Sequence, residues 1–233
     1  MEKDSRIKTS QVKCGGACEN FLYLLREHRD YDWFFFCDQD DIWHPRKIEI
    51  LINAVLKHSQ TVPLLAYCDK EIVDENLKSL NIKENAFQDD LKSIIFQNHI
   101  YGCTMMINKV LANKLLYLPN VAMHDHGAAL VAALEGEIMH VREKLVKYRQ
   151  HVNNVTGGIN QFSYRMKILY WNKVNKNQMK TFQMCREICD LYKDKTDTAK
   201  EYLCMLGSNK YMRVVKAIKY GFKRNGFLPT LRA

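Results

Sequence analysis

The stretch Trp33-Phe34-Phe35-Phe36-Cys37-Asp38-Gln39-Asp40-Asp41-Ile42-Trp43-His44-Pro45 constrains the fold more than any other part of the chain. An aromatic run of strand length stops at three carboxylates spread over four positions, then meets a proline. Strands buried on both faces read as continuous apolar runs, and proline is well tolerated at the first helical position. The segment therefore predicts strand, acidic turn, helix. In open α/β sheets ligands bind beyond the carboxyl ends of the strands, so Asp38, Asp40 and Asp41 concentrate negative charge at the mouth of a pocket. Hard oxygen ligands of this kind suit Mg²⁺ or Mn²⁺, which bind one or two carboxylates plus substrate phosphates. An acidic turn that merely stabilises the start of the helix accounts for the same residues, and both readings stand at this point.

The remaining chain alternates in the same α/β manner. After the turn signal Gly15-Gly16, residues Cys18, Phe21, Leu22 and Leu25 share one face of a predicted helix. Beyond the acidic turn, 45–57 reads as a helix with Ile48, Leu51, Ile52 and Val55 toward the sheet. Residues 64–68 form a buried strand ended by Asp69, which is either a substrate contact or a turn residue, and 71–76 form a short strand into a turn. Residues 90–98, a short helix or loop, lead to a strand at 99–107. There Gly102 lets backbone approach a ligand closely and Thr104 offers a hydroxyl; a core strand with a glycine bulge is the other reading. Residues 123–130 precede a small-residue helix that runs to about Leu134, with Asp125 placed to cap it. Residues 136–141 and 144–149 read as two short strands, and 164–174, 179–192 and 208–224 as helices. In the last of these Tyr211, Val215, Ile218 and Phe222 fall on one stripe, opposite Lys210, Arg213, Lys216, Lys219, Lys223 and Arg224. Such a basic amphipathic helix either lies in a membrane interface or packs on its own domain.

A chain of 233 residues, 47% hydrophobic, is long enough for one sizeable α/β core. It contains no 18-residue apolar run, so no transmembrane helix is expected. Its charged N-terminus lacks an apolar signal core, which points to the cytoplasm. The eight cysteines, at 14, 18, 37, 68, 103, 185, 189 and 204, include no C-x-x-C pair. They read as reduced, buried side chains, with a zinc site as the alternative. The net charge of +9 is lopsided: residues 160–233 hold 16 Lys/Arg against 5 Asp/Glu, and the rest hold 19 against 21. A basic tail calls for an anionic partner, lipid headgroups or nucleic acid. No nucleic-acid motif or aromatic stacking pattern accompanies it, so no nucleic acid is expected.

Four segments carry a resemblance: C-D-Q-D-D-I-W-x-P-x-K-I-E from Cys37, G-C-T-M-M from Gly102, H-D at His124-Asp125, and Y-R-Q-H-x-N-N-x-x-G from Tyr148. In this order and spacing they resemble the rhamnosyltransferase-like branch of bacterial glycosyltransferase family 2, inverting enzymes of the GT-A fold. The match runs from about Gly16 to Gly157. The resemblance implies an α/β, GT-A-like mixed sheet flanked by helices, with 1–159 as a partial GT-A domain and 160–233 as a basic helical region. Residues 1–13 match neither of the family's first strands nor its D-D-G-S-type motif, so the domain is expected to be N-terminally incomplete. The implied activity is metal-dependent transfer of a rhamnose-like sugar from a nucleotide diphospho-sugar to a hydroxyl of a lipid-linked or polysaccharide acceptor. By resemblance, Asp40 with Asp38 and His151 holds Mg²⁺ or Mn²⁺, while Asp38, Asp41, Arg149 and Asn154 border the donor. Gly102, Cys103, Thr104 and His124 border the acceptor, and Asp125 is the base. Cys14 replaces the first Asn of the family's N-x-G-x-x-x-N-F pattern, and His126 and Gly127 replace two aromatics after the base. The implied location is cytoplasmic, with the tail holding the enzyme peripherally on the inner face of the plasma membrane. A catalytically silent remnant of the same scaffold, in which Asp125 only caps its helix, is the competing expectation; a basic nucleic-acid binder comes after it.

Overall fold

Strands β1 (Trp33–Phe35) and β2 (Ile42–Trp43) are six residues apart in sequence, yet they form the two opposite edges of one five-stranded sheet. The computed structural model describes residues 4–12, 14–82, 88–150 and 179–222. His151, Asn154 and the helix expected at 164–174 lie outside the described residues. With β3 (Leu64–Val73), β4 (Met105–Asn108) and β5 (Glu137–Arg149), the strand order is β1-β4-β3-β5-β2. β3 and β5 run parallel and every other pair is antiparallel. The sheet curls enough that the rings of Phe35 and Trp43, on opposite edge strands, lie 6.1 Å apart. This is the expected α/β architecture, a GT-A-like mixed sheet flanked by helices.

Side chains of a strand alternate between faces, and β3 divides the core accordingly. Leu65 and Tyr67 join one apolar cluster, while Leu64, Ala66 and Cys68 join the other. The first cluster is covered by α1 (Ala17–Glu27), α3 (Leu91–Phe96), α4 (Lys109–Leu116) and α5 (His124–Glu135). Helical residues 179–192 (α6), α7 (Asp197–Leu206) and α8 (Lys210–Tyr220) add Met184, Cys185, Ile188, Cys189, Tyr202 and Ala217 to it. The second cluster lies under α2 (Lys47–Val55), through Leu51 and Val55. Among the described residues no helix is long and apolar enough to cross a membrane.

Several boundaries differ from the sequence expectation. Pro45 sits in the turn before α2, which begins at Lys47, and β2 comes between the acidic turn and that helix. The inward stripe of α2 is Lys47, Leu51 and Val55, at i, i+4 and i+8, whereas Ile48 is 49% exposed. The expected strand at 99–107 starts only at Met105, because Gly102–Thr104 closes a 3-10 turn. The Thr104 N–H and hydroxyl both donate to the Tyr101 carbonyl, at 2.9 and 2.8 Å. β3 runs through Asp69 and Lys70 without stopping, since tertiary partners absorb both charges. Asp69 meets His140 Nε2 at 2.7 Å, and the Lys70 ammonium lies 3.6 Å from the Tyr101 ring centre. The two strands expected at 136–141 and 144–149 are one strand with a bulge, where the pairing steps from Cys68↔Val141 to Asp69↔Lys144. All eight cysteines are free thiols; Cys68, Cys103, Cys185 and Cys189 are buried, whereas Cys37 and Cys204 are exposed.

Candidate active site

The link from β1 to β2 carries the three carboxylates, and on its way across the sheet it meets the Gly102–Thr104 turn, the start of α5 and the end of β5. Arg149, the last residue of β5, straps it down. Its backbone N–H donates to Asp41 Oδ1 at 3.1 Å, its Nε to the Asp40 carbonyl at 2.9 Å, and its Nη1 to the Glu75 carbonyl at 2.8 Å. The side chain expected to border the donor therefore also shapes the acidic turn.

Carboxylate oxygens of Asp38 and Asp41 and the Cys103 sulfur all lie within 4.8 Å of one another. Burial, and then the charges of Asp41, Asp40 and Asp125, push the Asp38 carboxyl up to about 6. Burial also raises Asp41, against the opposing pull of the Cys103 thiol and the Arg149 N–H. Asp41 Oδ2 is buried with no hydrogen bond of good geometry among the described residues. The Cys103 thiol is pushed far above its usual range by burial and by Asp41 and Asp38, so it stays protonated. Crowded, half-desolvated carboxylates with an orphaned oxygen fit a hard divalent cation such as Mg²⁺ or Mn²⁺. The convergent pair is Asp38 and Asp41. The Asp40 side chain is outside that group, and the thiol of Cys103, expected beside the acceptor, is inside it.

Lys47 belongs to this site and was not singled out from the sequence. It is fully buried, donates from Nζ to the Cys103 carbonyl at 2.5 Å, and lies 3.5 Å from the Trp43 ring centre. Burial lowers its amine to about 8, against the opposing influence of Cys68, Cys103, Cys37 and Asp41. The available signal was its spacing, four residues ahead of Leu51 on the stripe that packs against the sheet.

The opposite wall is the first turn of α5. Met123 is the N-cap and Asp125 the second helical residue, so Asp125 is a first-turn acid and not the cap. It is 9% exposed, its Oδ1 accepts the His126 N–H at 2.7 Å, and its charge reaches Asp38. The His124 ring lies 4.6 Å from Phe21 and 4.8 Å from Phe36. Its Nε2 is directed at Gly102, where an added Cβ would be only 2.5 Å away. His126 turns inward to the Ile94 carbonyl, 2.7 Å from its Nε2, and a Cβ on Gly127 would press on Leu115 at 3.0 Å. The two positions that differ from the resembling family thus pack into the interior. Gly102, Cys103 and His124 come together beside the carboxylates, while the Thr104 hydroxyl is spent inside its own turn. Asp69 is held by His140, apart from this group. Among the described residues, no cysteine pair four apart joins a metal-binding cluster, as Asp38, Asp41 and Cys103 do.

No protein-family model matches the chain. It is 26% identical over 174 residues to the dTDP-rhamnosyl transferase RfbG of Shigella flexneri, an alignment that covers 70% of this chain and 59% of that protein. The chain thus spans less than two thirds of that relative. It is 24% identical over 242 residues to uncharacterized glycosyltransferases of Rickettsia prowazekii (strain Madrid E) and Rickettsia typhi (strain ATCC VR-144 / Wilmington), covering 94% of this chain and 76% of each relative. Over most of its length, then, the chain is similar to proteins described as glycosyltransferases.

Proposed function

We propose that the chain is a metal-dependent inverting glycosyltransferase, moving a rhamnose-like sugar from a nucleotide diphospho-sugar to a hydroxyl of a surface-polysaccharide acceptor. One observation carries the reading: the Asp38–Asp41 pair converges with Cys103, and the adjoining Gly102 abuts His124, so the first turn of α5 brings Asp125 to the same site. Inverting displacement needs two such negative functions side by side, one that holds the counter-charge for a departing diphosphate and one that takes a proton. Asp38 and Asp41 would hold Mg²⁺ or Mn²⁺, with Asp40 and His151 added by resemblance. Bound there, the cation supplies Lewis-acid stabilisation of the leaving diphosphate.

Asp125 takes the acceptor hydroxyl proton while that oxygen bonds to the anomeric carbon from the face opposite the breaking bond to the diphosphate. His124, wedged between Phe21 and Phe36, fixes the start of α5 and hence the carboxylate's direction. Arg149 and Lys47 hold the acidic turn and the Gly102–Thr104 turn in register. Because the Thr104 hydroxyl is already used, recognition by that turn falls to its backbone. The rhamnose-like donor is supported by the resemblance and by the name of the Shigella relative. A lipid-linked or polymeric acceptor at the inner face of the plasma membrane is supported by the basic C-terminal region.

The test is transfer itself. The chain is incubated with Mn²⁺, a panel of nucleotide sugars that includes dTDP-rhamnose, and lipid-linked glycan acceptors, and the anomeric configuration of the product is read by NMR. Inverted product that requires the divalent cation supports the reading; retained configuration, or no donor binding by calorimetry, overturns it.

A further inference from the structure

Helix α8 presents its apolar stripe to the outside. Tyr211 is 76% exposed, Ile218 54%, Val215 39% and Met212 37%. Tyr211, Val215 and Ile218 follow i, i+4, i+7 spacing and so line one face. The sequence pattern places Phe222 on the same stripe, but Gly221 ends the helix with φ 74° and turns Phe222 inward. There Phe222 is fully buried, against Phe96 at 5.4 Å and Tyr202 at 6.0 Å. The inward side of α8 is the buried Ala217 and the partly buried Tyr220, with polar fastenings beside them. Arg213 Nε donates to the Ser208 carbonyl at 2.9 Å, Lys216 Nζ to the Cys204 carbonyl at 3.2 Å, and Lys92 Nζ to the Tyr220 carbonyl at 2.6 Å. The helix is therefore anchored without its own apolar stripe. Among the described residues, therefore, the stripe is not buried on its own domain, which is the ordinary role of an amphipathic helix.

We propose that this outward face of α8 is a docking surface for an anionic lipid membrane. The charge around it selects the occupant. Among the described residues the charged side chains of α8 are Arg213, Lys216 and Lys219, all cations, and the sequence from Ser208 onward contains no Asp or Glu. Lys219 is exposed beside the stripe. A stripe meant for a second copy of this basic segment would bring like charges together, whereas anionic headgroups neutralise them. An interfacial helix lies flat, with its apolar face at the acyl boundary and its cations among the headgroups, and tyrosine suits that depth. Eleven residues make a helix only about 16 Å long, so binding is reversible and depends on charge as much as on apolar contact. α8 is tied to α3 through Lys92 and Phe222, and the chain runs on from α3 to the Gly102–Thr104 turn that borders the carboxylates. Docking would hold that wall of the site near the bilayer.

The inference deepens the membrane contact proposed above and rests on that reading for its purpose, but it can be measured with no donor or acceptor present. The full chain is sedimented with vesicles of phosphatidylcholine alone or of equal phosphatidylcholine and phosphatidylglycerol. Binding should be on the order of tenfold or more tighter to the anionic vesicles and should weaken as salt rises. The double variant Val215→Asn/Ile218→Asn removes apolar surface already exposed, so it should melt like the wild type yet bind about tenfold more weakly. Equal binding to both vesicles, or a variant that binds like the wild type, would overturn the proposal. So would a dimer in solution that the variant abolishes, or duplex DNA binding that competes with the vesicles. Vesicle binding without transfer would leave this surface standing and sink the catalytic reading; transfer to a soluble acceptor without vesicle binding would do the reverse.

Discussion

His124 Nε2 occupies the space that a side chain at residue 102 would need, since a Cβ on Gly102 would lie 2.5 Å from it. The ring cannot move aside cheaply, being 8% exposed and packed against Phe21 and Phe36. Gly102→Ala should therefore cost about 1–3 kcal/mol, the usual range for overpacking, and should lower transfer by displacing the start of α5. His124→Ala opens the missing room, so the double variant should be more stable than the sum of the two single losses. Melting curves of the four proteins give the coupling. Strictly additive losses would show that the two residues do not interlock.

The extent to which this site was legible from sequence follows the range of the interactions that build it. The acidic turn declares itself locally, because an aromatic strand runs straight into charge. Lys47 does not. A lysine at the head of a helix reads as solvated, and the carbonyl that accepts its hydrogen bond belongs to Cys103, 56 positions away. The charged run Asp69-Lys70-Glu71 suggests a strand end, yet β3 continues because His140 and Tyr101, both distant in sequence, take up Asp69 and Lys70. For α8 the spacing correctly gives a stripe but not its direction, which depends on Gly221 breaking the helix before Phe222.

Asp38 makes the site less stable near neutral pH. Its folded-state value of about 6 is above the ordinary 3.8, so the folded chain holds that proton longer than the unfolded chain does. The corresponding stability is complete below about 3.8 and is lost as the pH rises through about 6. Asp38→Asn should therefore melt higher than the wild type above that window, by about 1–2 kcal/mol once solvent screening is allowed for, and the difference should vanish at low pH. Mn²⁺ should raise the melting temperature of the wild type more than that of the variant. A variant less stable than the wild type at neutral pH without metal would contradict the crowding of these carboxylates.

Lys47 gives the opposite slope at the other end of the pH scale. Its amine is lowered from 10.5 to about 8, so between those values the unfolded chain binds the extra proton and stability rises with pH. Relative to Lys47→Met, which fills similar volume without a charge, the wild type should gain on the order of 1–3 kcal/mol across that window. Lys47 also lowers Asp38, so the Asp38 midpoint in the variant should move above about 6. Parallel stability curves for the two proteins would mean that the amine is solvated.

Asp125 separates a working site from an ordinary helix start. Asn at this position keeps the shape and an oxygen for the His126 N–H, but it can take no proton and carries no charge. If Asp125 is the base, Asp125→Asn should lower transfer by about 10²–10⁴-fold with donor binding nearly unchanged. Because its charge helps to raise Asp38, the same variant should let Asp38 titrate below about 6, which carboxyl NMR reads directly. A first-turn acid that only complements the helix dipole contributes about 0.3–1 kcal/mol, and its loss would lower the melting temperature while leaving transfer intact. The two roles therefore predict opposite pairs of results. The Asp38 titration shows whether the carboxylates truly adjoin, independently of whether any sugar is moved.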